Sequence, residues 1–519
     1  MTLLTDHLSY ADARTHFSNA ALWGMFDGDR ETFNIAHECV DRHVDGGRVA
    51  LRVAPADGRD EIITFAELSV LSAKFAHYLA GRGVAKGDRV AVMLEPSLAF
   101  YGAMFGAIKL GAVAVPMFTL FGPEGIRLRA EDCTPSVLFT NTEKRADAEG
   151  AGGLDVVVVD EAFLVALAGL PDAFHSETAG DDLAVLQYTS GTTRLLPEAV
   201  KHTHRSLVTL MVAALYATGI RPGDRFFCPS SPAWGHGLWH GTLAPLALGV
   251  STGTFSGRFD PVRLLQALQD YKITNMSAAA THYRMMRNSG RAEDFTYAIE
   301  KLSFTGEPID SESARYVEAL FGTKVCSMYG TTEIGVILAN YPGAPDFDVR
   351  EGSMGKPVPG TEVQVQDAQG NPAQPDVIGE LMVRKRGAWF PTKDLARVDA
   401  DGYFYHAGRA DAVIISAGWT MSAVEIEDAI LKHPKVAEAA AIGVPDKVRG
   451  QVVKAFVVLK SGEDDGLTEE IQELVRANLS RHEYPRHIAF VAELPKTPAG
   501  KVNRKVLRDQ EAAAAASAA

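Results

Sequence analysis

Apolar residues along the first four-fifths of the chain form two alternating patterns, short continuous runs and longer runs with helical spacing. Continuous runs predict buried strands, and helically spaced runs predict amphipathic helices. The predicted strands are residues 88–94, 113–116, 224–229, 250–255, 274–279, 301–304 and 324–328. The predicted helices are residues 97–110, 237–248, 260–271 and 310–321. Apolar strands that alternate with helices indicate a parallel sheet with helices on both faces.

The pattern changes near residue 362, where shorter strands of alternating polarity begin, at 363–366 and 380–383. Alternation is typical of an antiparallel sheet, so we expect a small β subdomain here. A compact α+β unit follows residue 408. Its predicted elements are strands 411–416, 452–459 and 488–491, a helix over 422–432 and a second helix capped by Thr468. The predicted fold class is α/β, with a large N-terminal domain of parallel-sheet α/β subdomains plus a small β subdomain, and a small α+β C-terminal domain.

Composition narrows the class of protein. At roughly 150 residues per domain, 519 residues correspond to about three to four domains or subdomains. A net charge of −14 disfavours nucleic-acid binding, which needs a basic surface. No two cysteines have metal-ligand spacing, so we expect reduced core residues in a cytoplasmic protein. The cysteines are Cys39, Cys133, Cys228 and Cys326.

The chain shows no targeting or membrane signal that we recognise. Residues 1–10 include Asp6 and His7 and have no apolar core, so a secretory signal is not expected there. The apolar stretch 98–122 contains Lys109 and Pro116. We therefore expect a buried helix followed by a buried strand, with no membrane span.

Polar motifs follow several of the predicted strands, and ligands of parallel sheets bind at the carboxyl ends of strands. The motif 187–193 places hydroxyls and a glycine where a polyphosphate could accept N–H and O–H hydrogen bonds. A simple polar turn is the alternative for this motif taken alone. The Walker pattern is absent, so the chain is not expected to be a P-loop NTPase.

Four further signals lie downstream. In the motif 328–335, Glu333 could hold Mg²⁺ and Tyr329 could stack on a base, although a strand–loop–helix junction is the alternative. Asp394 could bridge two ribose hydroxyls, and Arg409 lies at the domain junction. Lys501, in the Pro/Gly-rich segment 494–504, could neutralise charge on a phosphoryl group. Each of these residues alone is equally well explained as an ordinary surface residue.

Together and in this order, the motifs resemble the adenylate-forming superfamily of acyl-CoA synthetases, stand-alone adenylation domains and firefly-luciferase-like enzymes. The resemblance runs from residues 63–68 through 111–116 to Lys501, almost the whole chain. Segments 33–36 and 277–286 are similar to those of medium-chain and aryl acyl-CoA ligases.

The resemblance implies that ATP, Mg²⁺ and coenzyme A take part, and it assigns roles to matching residues. The residues that would wrap the β- and γ-phosphates are Thr189, Ser190, Gly191, Thr192 and Thr193. The residues that would line the adenine site or its loop are Gly306, Glu307, Pro308, Tyr329, Gly330 and Thr331. The residues with catalytic roles would be Thr332 at the α-phosphate, Glu333 on Mg²⁺, and Lys501 between the acid's carboxylate and the α-phosphate. Asp394 and Arg409 would serve the ribose.

The resemblance also implies that the C-terminal domain is mobile. The expected domains are an ATP- and acid-binding N-terminal domain over 1–408, a hinge over 409–411, a mobile domain over 412–510 and a disordered tail over 511–519. Asp411 would be the pivot, and Gly418 would line the path of the thiol in a second conformation. The second Asp of the family's hinge pattern is Ala412 here, so the hinge role rests on Asp411 alone.

One departure from the family pattern concerns the phosphate loop. After Thr193 the family continues Gly-x-Pro-Lys-Gly, whereas in residues 194–202 both glycines and the lysine of that pattern are missing and the loop is one residue longer. Arg194 or Lys201 could replace the missing charge. The alternatives are a weaker grip on phosphate or loss of the reaction with ATP.

The segment 231–239 lies at the acid pocket according to the resemblance. The expected pocket residues are Trp234, Gly235, His236, Ala279 and Ala280. Core packing is the alternative for Trp234, and a satisfied core histidine is the alternative for His236. The segment has no carboxylate to pair with an α-ammonium, which disfavours an amino acid. Trp234 and the three alanines at 278–280 indicate an apolar pocket of moderate size, which suits a medium-chain, cyclic or aromatic acid.

Three functions fit the sequence. The leading one is an ATP-dependent carboxylic acid–CoA ligase that works through an acyl-adenylate, releasing pyrophosphate and then AMP. The second is a stand-alone adenylation enzyme that loads a carrier protein in trans. The third is a catalytically impaired nucleotide-binding homologue, suggested by the altered loop. A homo-oligomer is compatible with the sequence, which does not decide the oligomeric state.

Overall fold

The computed structural model describes most of the chain in two compact units. The described residues are 3–55, 58–188, 199–331, 334–367, 369–385, 387–409, 414–416, 419–421, 423–446, 450–460, 462, 466–479, 484–496 and 502–517. The first unit consists of Met1–Gly306, Val317–Asp348 and Val358–Gly360. The second consists of Glu307–Tyr316, Val349–Pro357 and Thr361–Ala519.

The first unit contains fourteen strands among its described residues. They are β1 (Val49–Pro55), β2 (Glu61–Thr64), β3 (Arg89–Met93), β4 (Val113–Pro116), β5 (Val137–Thr140), β6 (Val156–Val158), β7 (Leu183–Tyr188), β8 (Ala199–Thr203), β9 (Arg225–Phe227), β10 (Ser251–Ser256), β11 (Asn275–Ala279), β12 (Lys301–Thr305), β13 (Val325–Thr331) and β14 (Gly335–Ala339).

The second unit contains ten strands among its described residues, including the longest ones. They are β15 (Ser353–Pro357), β16 (Val363–Gln366), β17 (Gly379–Lys385), β18 (Ala388–Val398), β19 (Phe404–Arg409), β20 (Ile414–Ser416), β21 (Trp419–Met421), β22 (Val436–Asp446), β23 (Gly450–Leu459) and β24 (His487–Phe490).

Helices connect the strands in both units. Those before the acid-pocket segment are α1 (Tyr10–His16), α2 (Asn19–Trp23), α3 (Ile35–Cys39), α4 (Phe65–Gly81), α5 (Leu98–Leu110), α6 (Pro123–Cys133), α7 (Arg145–Gly150), α8 (Glu161–Leu167) and α9 (Ser206–Tyr216). A π-helix (His236–Leu243) follows. The remaining helices are α10 (Ala244–Ala247), α11 (Pro261–Asp270), α12 (Ala280–Asn288), α13 (Ser311–Phe321), α14 (Ala423–Leu431), α15 (Leu467–Asn478) and α16 (Arg504–Ser517).

Two parallel-rich sheets form the first unit. One has the order β6-β5-β3-β4-β7-β8, in which only β8 is antiparallel to its neighbour. In the other, the strands of this unit run β14-β13-β12-β11-β9-β10-β1-β2, with antiparallel pairs at the two ends of that run. The prediction of parallel sheet structure is confirmed. It rested on the rule that strands apolar on both faces need helices on both sides.

Local signals explain where the first unit's helices begin and end. The Ser97 hydroxyl accepts a hydrogen bond from Phe100 N at the start of α5, and Gly111 ends that helix at a φ of 83°. Asp260 likewise caps α11 by accepting from Arg263 N. The apolar stretch after Ser97 is a buried helix followed by buried strand β4, as expected. No helix within the described residues is long and apolar enough to cross a membrane.

The second unit contains three sheets among its described residues. The strands β16-β17-β18-β19-β15 form an antiparallel array, β20 pairs with β21, and β22-β23-β24 form a third sheet. Helices α14 and α15 pack against the third sheet around buried Ile426, Ile430 and Ile471. The predicted antiparallel texture and the α+β character of the C-terminal part are confirmed.

Three expectations for this unit need correction. Helix α15 begins at Leu467 with Gly466 at the N-cap position, so Thr468 lies inside the first turn and does not cap it. Strand β22 has no counterpart in the elements expected from the sequence. Helix α16 continues through Ser517, so most of the predicted disordered tail 511–519 is helical.

Candidate active site

The phosphate motif begins where strand β7 ends. Tyr188 closes this strand, and its hydroxyl donates to the Asp132 carboxylate at 2.7 Å and to the Arg129 carbonyl at 3.0 Å. On the far side of the motif, Ala199 pairs with Tyr188 across the antiparallel strands β7 and β8. Both ends of the segment 189–198 therefore meet at the same edge of the sheet. Lys201, a candidate for the missing charge, is exposed on β8 opposite Leu186.

The predicted acid segment lies directly beside the start of this motif. The indole Nε1 of Trp239 donates to Gln187 Oε1 at 2.9 Å, and both residues are buried. A Cβ atom built on Gly235 would lie 3.4 Å from the same amide oxygen. The structure therefore brings the expected acid-binding segment to within two residues of Thr189, although Trp239 and Gln187 are 52 positions apart.

The element that carries this segment is a π-helix rather than the expected α-helix. Two glycines let it approach the preceding strand very closely. A Cβ atom on Gly237 would lie 2.1 Å from the Ser231 carbonyl oxygen, and one on Gly241 would lie 2.8 Å from Cys228 Cβ. π-Helical turns are rare and are often found at functional sites. The wider turn fits the expected position of this segment at the acid.

We expect Gly237→Ala to damage this segment while Gly235→Ala is tolerated. The first substitution forces a methyl group against backbone atoms of residues 230 and 231, whereas the second places it at ordinary contact distance from Gln187. Overpacking of this kind costs about 1–3 kcal/mol or more. Thermal unfolding of the two variants measures the difference, and equal midpoints would contradict the predicted steric clash.

His236 lies in the core of this region. Its Nδ1 is 3.0 Å from Ser230 Oγ and its Nε2 is 2.9 Å from Ser277 Oγ. Both ring nitrogens are thus occupied, which favours the core-histidine interpretation over substrate contact. Burial holds the pKa of His236 well below its usual range, with smaller contributions from nearby His240 and His282.

Several buried histidines make the first unit sensitive to acid. Burial lowers the pKa of His202, His204, His240 and His282 to about 4. The unfolded chain binds these protons near pH 6.5, earlier than the folded chain, so each histidine costs stability as the pH falls from 6.5 towards 4.

We therefore expect the urea midpoint to be constant above pH 6.5 and to fall steadily below it. His240→Gln, which has no titrating group, should reduce the slope of that fall, because the His240 pKa is set by burial. A midpoint that does not change between pH 7.5 and 5, or a slope that His240→Gln leaves intact, would contradict this assignment.

The other expected pocket residues lie where β11 leads into α12. Ala279 is slightly exposed and Ala280 is fully buried. His282 fixes this junction, since its Nδ1 accepts a hydrogen bond from Ala279 N at 3.2 Å. Trp234 is half-buried, and its ring lies 5.4 Å from that of His236. Small side chains at this junction leave room at the carboxyl end of β11.

The expected base-stacking residue lies in a hairpin. Strand β13 extends through Tyr329 and Gly330 to Thr331 and pairs with β14, instead of ending before Tyr329. Gly330 is required there, because a Cβ atom would lie 2.1 Å from the Gly335 carbonyl oxygen. Tyr329 is half-buried, and the Thr331 hydroxyl is buried with no hydrogen-bond partner in the described structure. A ring and an unoccupied hydroxyl at one strand end fit a nucleotide.

The two expected ribose residues face each other in the second unit. Asp394 on β18 and Arg409 on β19 are direct cross-strand partners. Asp394 is buried, its backbone N–H donates to Thr392 Oγ1 at 3.2 Å, and His406 Nε2 lies 3.6 Å from its Oδ1. Glu307 and Pro308 belong to the second unit as well. Gly306, which directly follows β12, belongs to the first unit and has a φ of 95°.

Ten of the expected site residues lie outside the described residues. They are Thr189, Ser190, Gly191, Thr192, Thr193, Thr332, Glu333, Asp411, Gly418 and Lys501. Their roles stay predictions. The described neighbours of two of these segments are nevertheless fixed, since Tyr188 pairs with Ala199 and Lys496 pairs with Val502.

Nothing in the sequence assigns a role to three residues that make contacts at these motifs, namely Gln187, Arg504 and Glu427. Gln187 was part of the quoted phosphate motif, but its bond to Trp239 could not be foreseen. Arg504 was part of the quoted lysine segment, and its partner Glu427 carries no sequence signal at all. The hydrogen bonds between Trp239 and Gln187 and between Arg504 and Glu427 join residues 52 and 77 positions apart, so a single sequence does not show them.

The described structure thus has mainly parallel sheets, with the expected phosphate motif beginning at the end of β7, and an α+β unit that contains the lysine segment. A family model described as "AMP-binding enzyme" matches residues 40–389, and "AMP-binding enzyme C-terminal domain" matches residues 425–501. The chain belongs to this family of AMP-forming acid–thiol ligases.

Three similar proteins illustrate the match. Acetyl-coenzyme A synthetase of Bacillus subtilis (strain 168) is 31% identical, over 97% of this chain and 95% of its own. The crystal structure of Brucella canis acyl-CoA synthetase is 32% identical, covers 97% of this chain and 99% of its own, and has a TM-score of 0.75. The anthranilate CoA ligase AuaEII, crystallised with anthranoyl-AMP, is 27% identical, covers 96% and 100%, and has a TM-score of 0.86.

Proposed function

We propose that this ligase activates a medium-chain, cyclic or aromatic carboxylic acid with Mg·ATP and transfers the acyl group to coenzyme A. The observation that carries the proposal is the hydrogen bond between Trp239 and Gln187. It joins the expected acid segment to the strand end that leads into the expected phosphate loop. An acid bound beside the first would lie next to a triphosphate bound by the second.

The reaction needs two steps because a carboxylate is a poor acyl donor. A carboxylate oxygen attacks the α-phosphate, pyrophosphate leaves, and an acyl-adenylate forms. The thiolate of coenzyme A then attacks the acyl carbon, and AMP leaves with the electrons of the broken bond. The first step brings two anions together, so positive charge at the site is its main requirement.

The chain's own residues would supply that charge and the orientation. Lys501 would lie between the carboxylate and the α-phosphate, and Thr332 would donate to a phosphate oxygen. Glu333 would hold Mg²⁺, which neutralises phosphate charge when it is bound. Asp394 and Arg409, opposite each other on β18 and β19, would hold the ribose end of the nucleotide.

The chemistry of the acid segment supports an uncharged acyl group. Residues 231–239 contain no Asp, Glu, Lys or Arg. Buried His236 and His240 have lowered pKa values, so both are neutral at pH 7. Relatives are named for acyl groups as different in size as acetyl and anthranoyl, so the family includes enzymes for small and for aromatic acids. We also propose a cytoplasmic location, supported by four buried, unpaired cysteines.

Pyrophosphate–ATP exchange with a panel of acids tests this proposal. The panel is acetate, hexanoate, cyclohexanecarboxylate, benzoate, anthranilate and phenylalanine, and coenzyme A is added in a second stage. We expect exchange with one or more of hexanoate, cyclohexanecarboxylate, benzoate and anthranilate, followed by thioester formation. Fastest exchange with acetate or phenylalanine would overturn the proposed acid class.

Loading of a carrier protein in trans is the second candidate, because the described site does not distinguish a coenzyme A thiol from a carrier thiol. Exchange without turnover on coenzyme A would favour it. Binding of ATP without exchange on any acid would instead show that the altered segment 194–202 has cost the protein its chemistry, and would overturn both candidates.

A further inference from the structure

The segment that contains Lys501 is held together at its base. Lys496 and Val502, which flank it, form an isolated antiparallel bridge. Next to this bridge, the Asn503 N–H donates to the Pro495 carbonyl at 2.7 Å. Val502 directly follows Lys501, so the position of the lysine backbone depends on how firmly this base is anchored.

Two ion pairs anchor the base to the rest of the second unit. On one side, Lys496 Nζ lies 2.9 Å from the Glu438 carboxylate on β22. On the other side, Arg504 donates three hydrogen bonds to Glu427 on α14, from Nε at 3.1 Å and from Nη2 at 2.8 and 2.6 Å. Glu427 is itself fixed, because its Oε1 accepts from Ala441 N at 2.7 Å.

The electrostatic surroundings of Arg504 include a residue of the adenine motif. Burial lowers the pKa of the Arg504 guanidinium, but the Glu427 carboxylate and, more weakly, the Glu307 carboxylate raise it by more, so the net shift is upward. Glu307 belongs to the Gly306–Pro308 motif and to the same compact unit as Arg504. The guanidinium at the base of the lysine segment therefore lies in the field of two carboxylates, one of them in a nucleotide motif.

We propose that Arg504 is a positioning residue for the adenylation step: by binding the Glu427 carboxylate through the Nε–Nη2 edge of its guanidinium, it fixes the segment that presents Lys501 to the reacting carboxylate and α-phosphate. This inference rests on the proposed function, since it takes Lys501 as the group that neutralises charge. Arg504 would act through this segment, because the side-chain hydrogen bonds described for it go to Glu427. Displacing a catalytic group by about 1 Å can cost about 10²-fold in rate.

The test compares the two half-reactions in Arg504→Ala, Arg504→Lys and Glu427→Gln. Adenylation is measured as pyrophosphate–ATP exchange with the acid that the unaltered protein uses fastest. Thioester formation is measured from the synthetic adenylate of the same acid. We expect Arg504→Ala to lower the adenylation kcat by about 10- to 100-fold and to leave thioester formation within about threefold. Arg504→Lys should recover part of the loss, because lysine keeps the charge but not the fork.

Lys454→Ala is the matched control. Lys454 lies 2.6 Å from Glu511, so this ion pair also joins the third sheet to α16 but does not touch the base of the lysine segment. We expect it to leave both half-reactions unchanged. Should Arg504→Ala fail to fold, Glu427→Gln and Arg504→Lys decide the question.

Two outcomes would overturn the inference. One is an equal loss in both half-reactions, which would show general destabilisation. The other is an adenylation rate in Arg504→Ala and Glu427→Gln that matches Lys454→Ala. An unaltered protein that exchanges with no acid would instead refute the proposed function, so the two failures are distinguishable.

Discussion

We expect Lys501→Ala to lower the rate of adenylation by about 10²–10³-fold, the equivalent of about 3–4 kcal/mol in the barrier. The reason is electrostatic, since an anionic carboxylate must approach an anionic α-phosphate, and removal of the ammonium leaves this repulsion uncompensated. Thioester formation from a supplied acyl-adenylate should survive, because that step no longer joins two anions at the phosphate. Exchange and thioester assays on the same preparation measure the split.

Lys505→Ala provides the control for this prediction. Lys505 is exposed and lies four residues further along, on helix α16. Its substitution removes the same charge from the same end of the chain. We expect both half-reactions to be unchanged in this variant. If Lys501→Ala impaired the two half-reactions to the same degree, the lysine would not have the role that the family resemblance gives it.

The largest expected effect on stability comes from Lys301→Met. Lys301 Nζ donates to both Asp224 carboxylate oxygens, at 2.8 and 2.9 Å, and to the Gly219 carbonyl at 2.8 Å. Only 12% of the lysine side chain and 10% of the aspartate side chain are exposed. The substitution leaves a buried carboxylate without its cation, which costs about 3–5 kcal/mol. Urea unfolding at pH 7 measures the loss.

Two further variants make this measurement specific. Lys324→Met removes an exposed lysine, 63% of whose side chain is accessible, from a pair with Glu318 in the same unit. We expect it to cost less than about 1 kcal/mol. Adding Asp224→Asn to Lys301→Met should restore part of the lost stability, because it removes the unpaired charge. A double variant that is less stable than Lys301→Met would show that the pair's charge is not the cause.

The order of strands and helices in the first unit was predictable because burial on both faces leaves a plain apolar signature. Capping signals at Ser97 and Asp260 then set the helix starts, as the structure has them. Strand β22 was not predictable in the same way. Its Ala439–Ala441 run has no strand preference of its own, and pairing with the Val-rich strand β23 determines the conformation.

Two local helix signals were misleading. Thr468 is a suitable cap by residue type, but Gly466, at a φ of 87°, occupies the N-cap position two residues earlier. The spacing around Gly237 and Gly241 indicates an α-helix, yet close approach to Ser231 and Cys228 gives a π-helix. The close approach of these two glycines depends on how the chain packs against the segment after β9, so the local sequence does not show it.

The candidate site shows the same division between residue identity and geometry. Motif order was enough to predict a ribose role for Asp394 and Arg409, which stays a prediction, but only the register of β18 and β19 shows that the two residues are cross-strand partners. The contact of Trp239 with Gln187 depends on the packing of a helix against a strand end. Long-range pairs such as Arg504 with Glu427 have no signal in a single sequence, since either residue alone is an ordinary surface charge.

The four buried cysteines have a practical consequence. Burial raises the pKa of every one of them, so their thiols are both inaccessible and protonated at neutral pH. A maleimide dye would therefore react with a single cysteine introduced on the surface and spare the native ones. With cysteines introduced at exposed positions 201 and 505, energy transfer between two dyes would measure the predicted movement of the C-terminal domain during turnover.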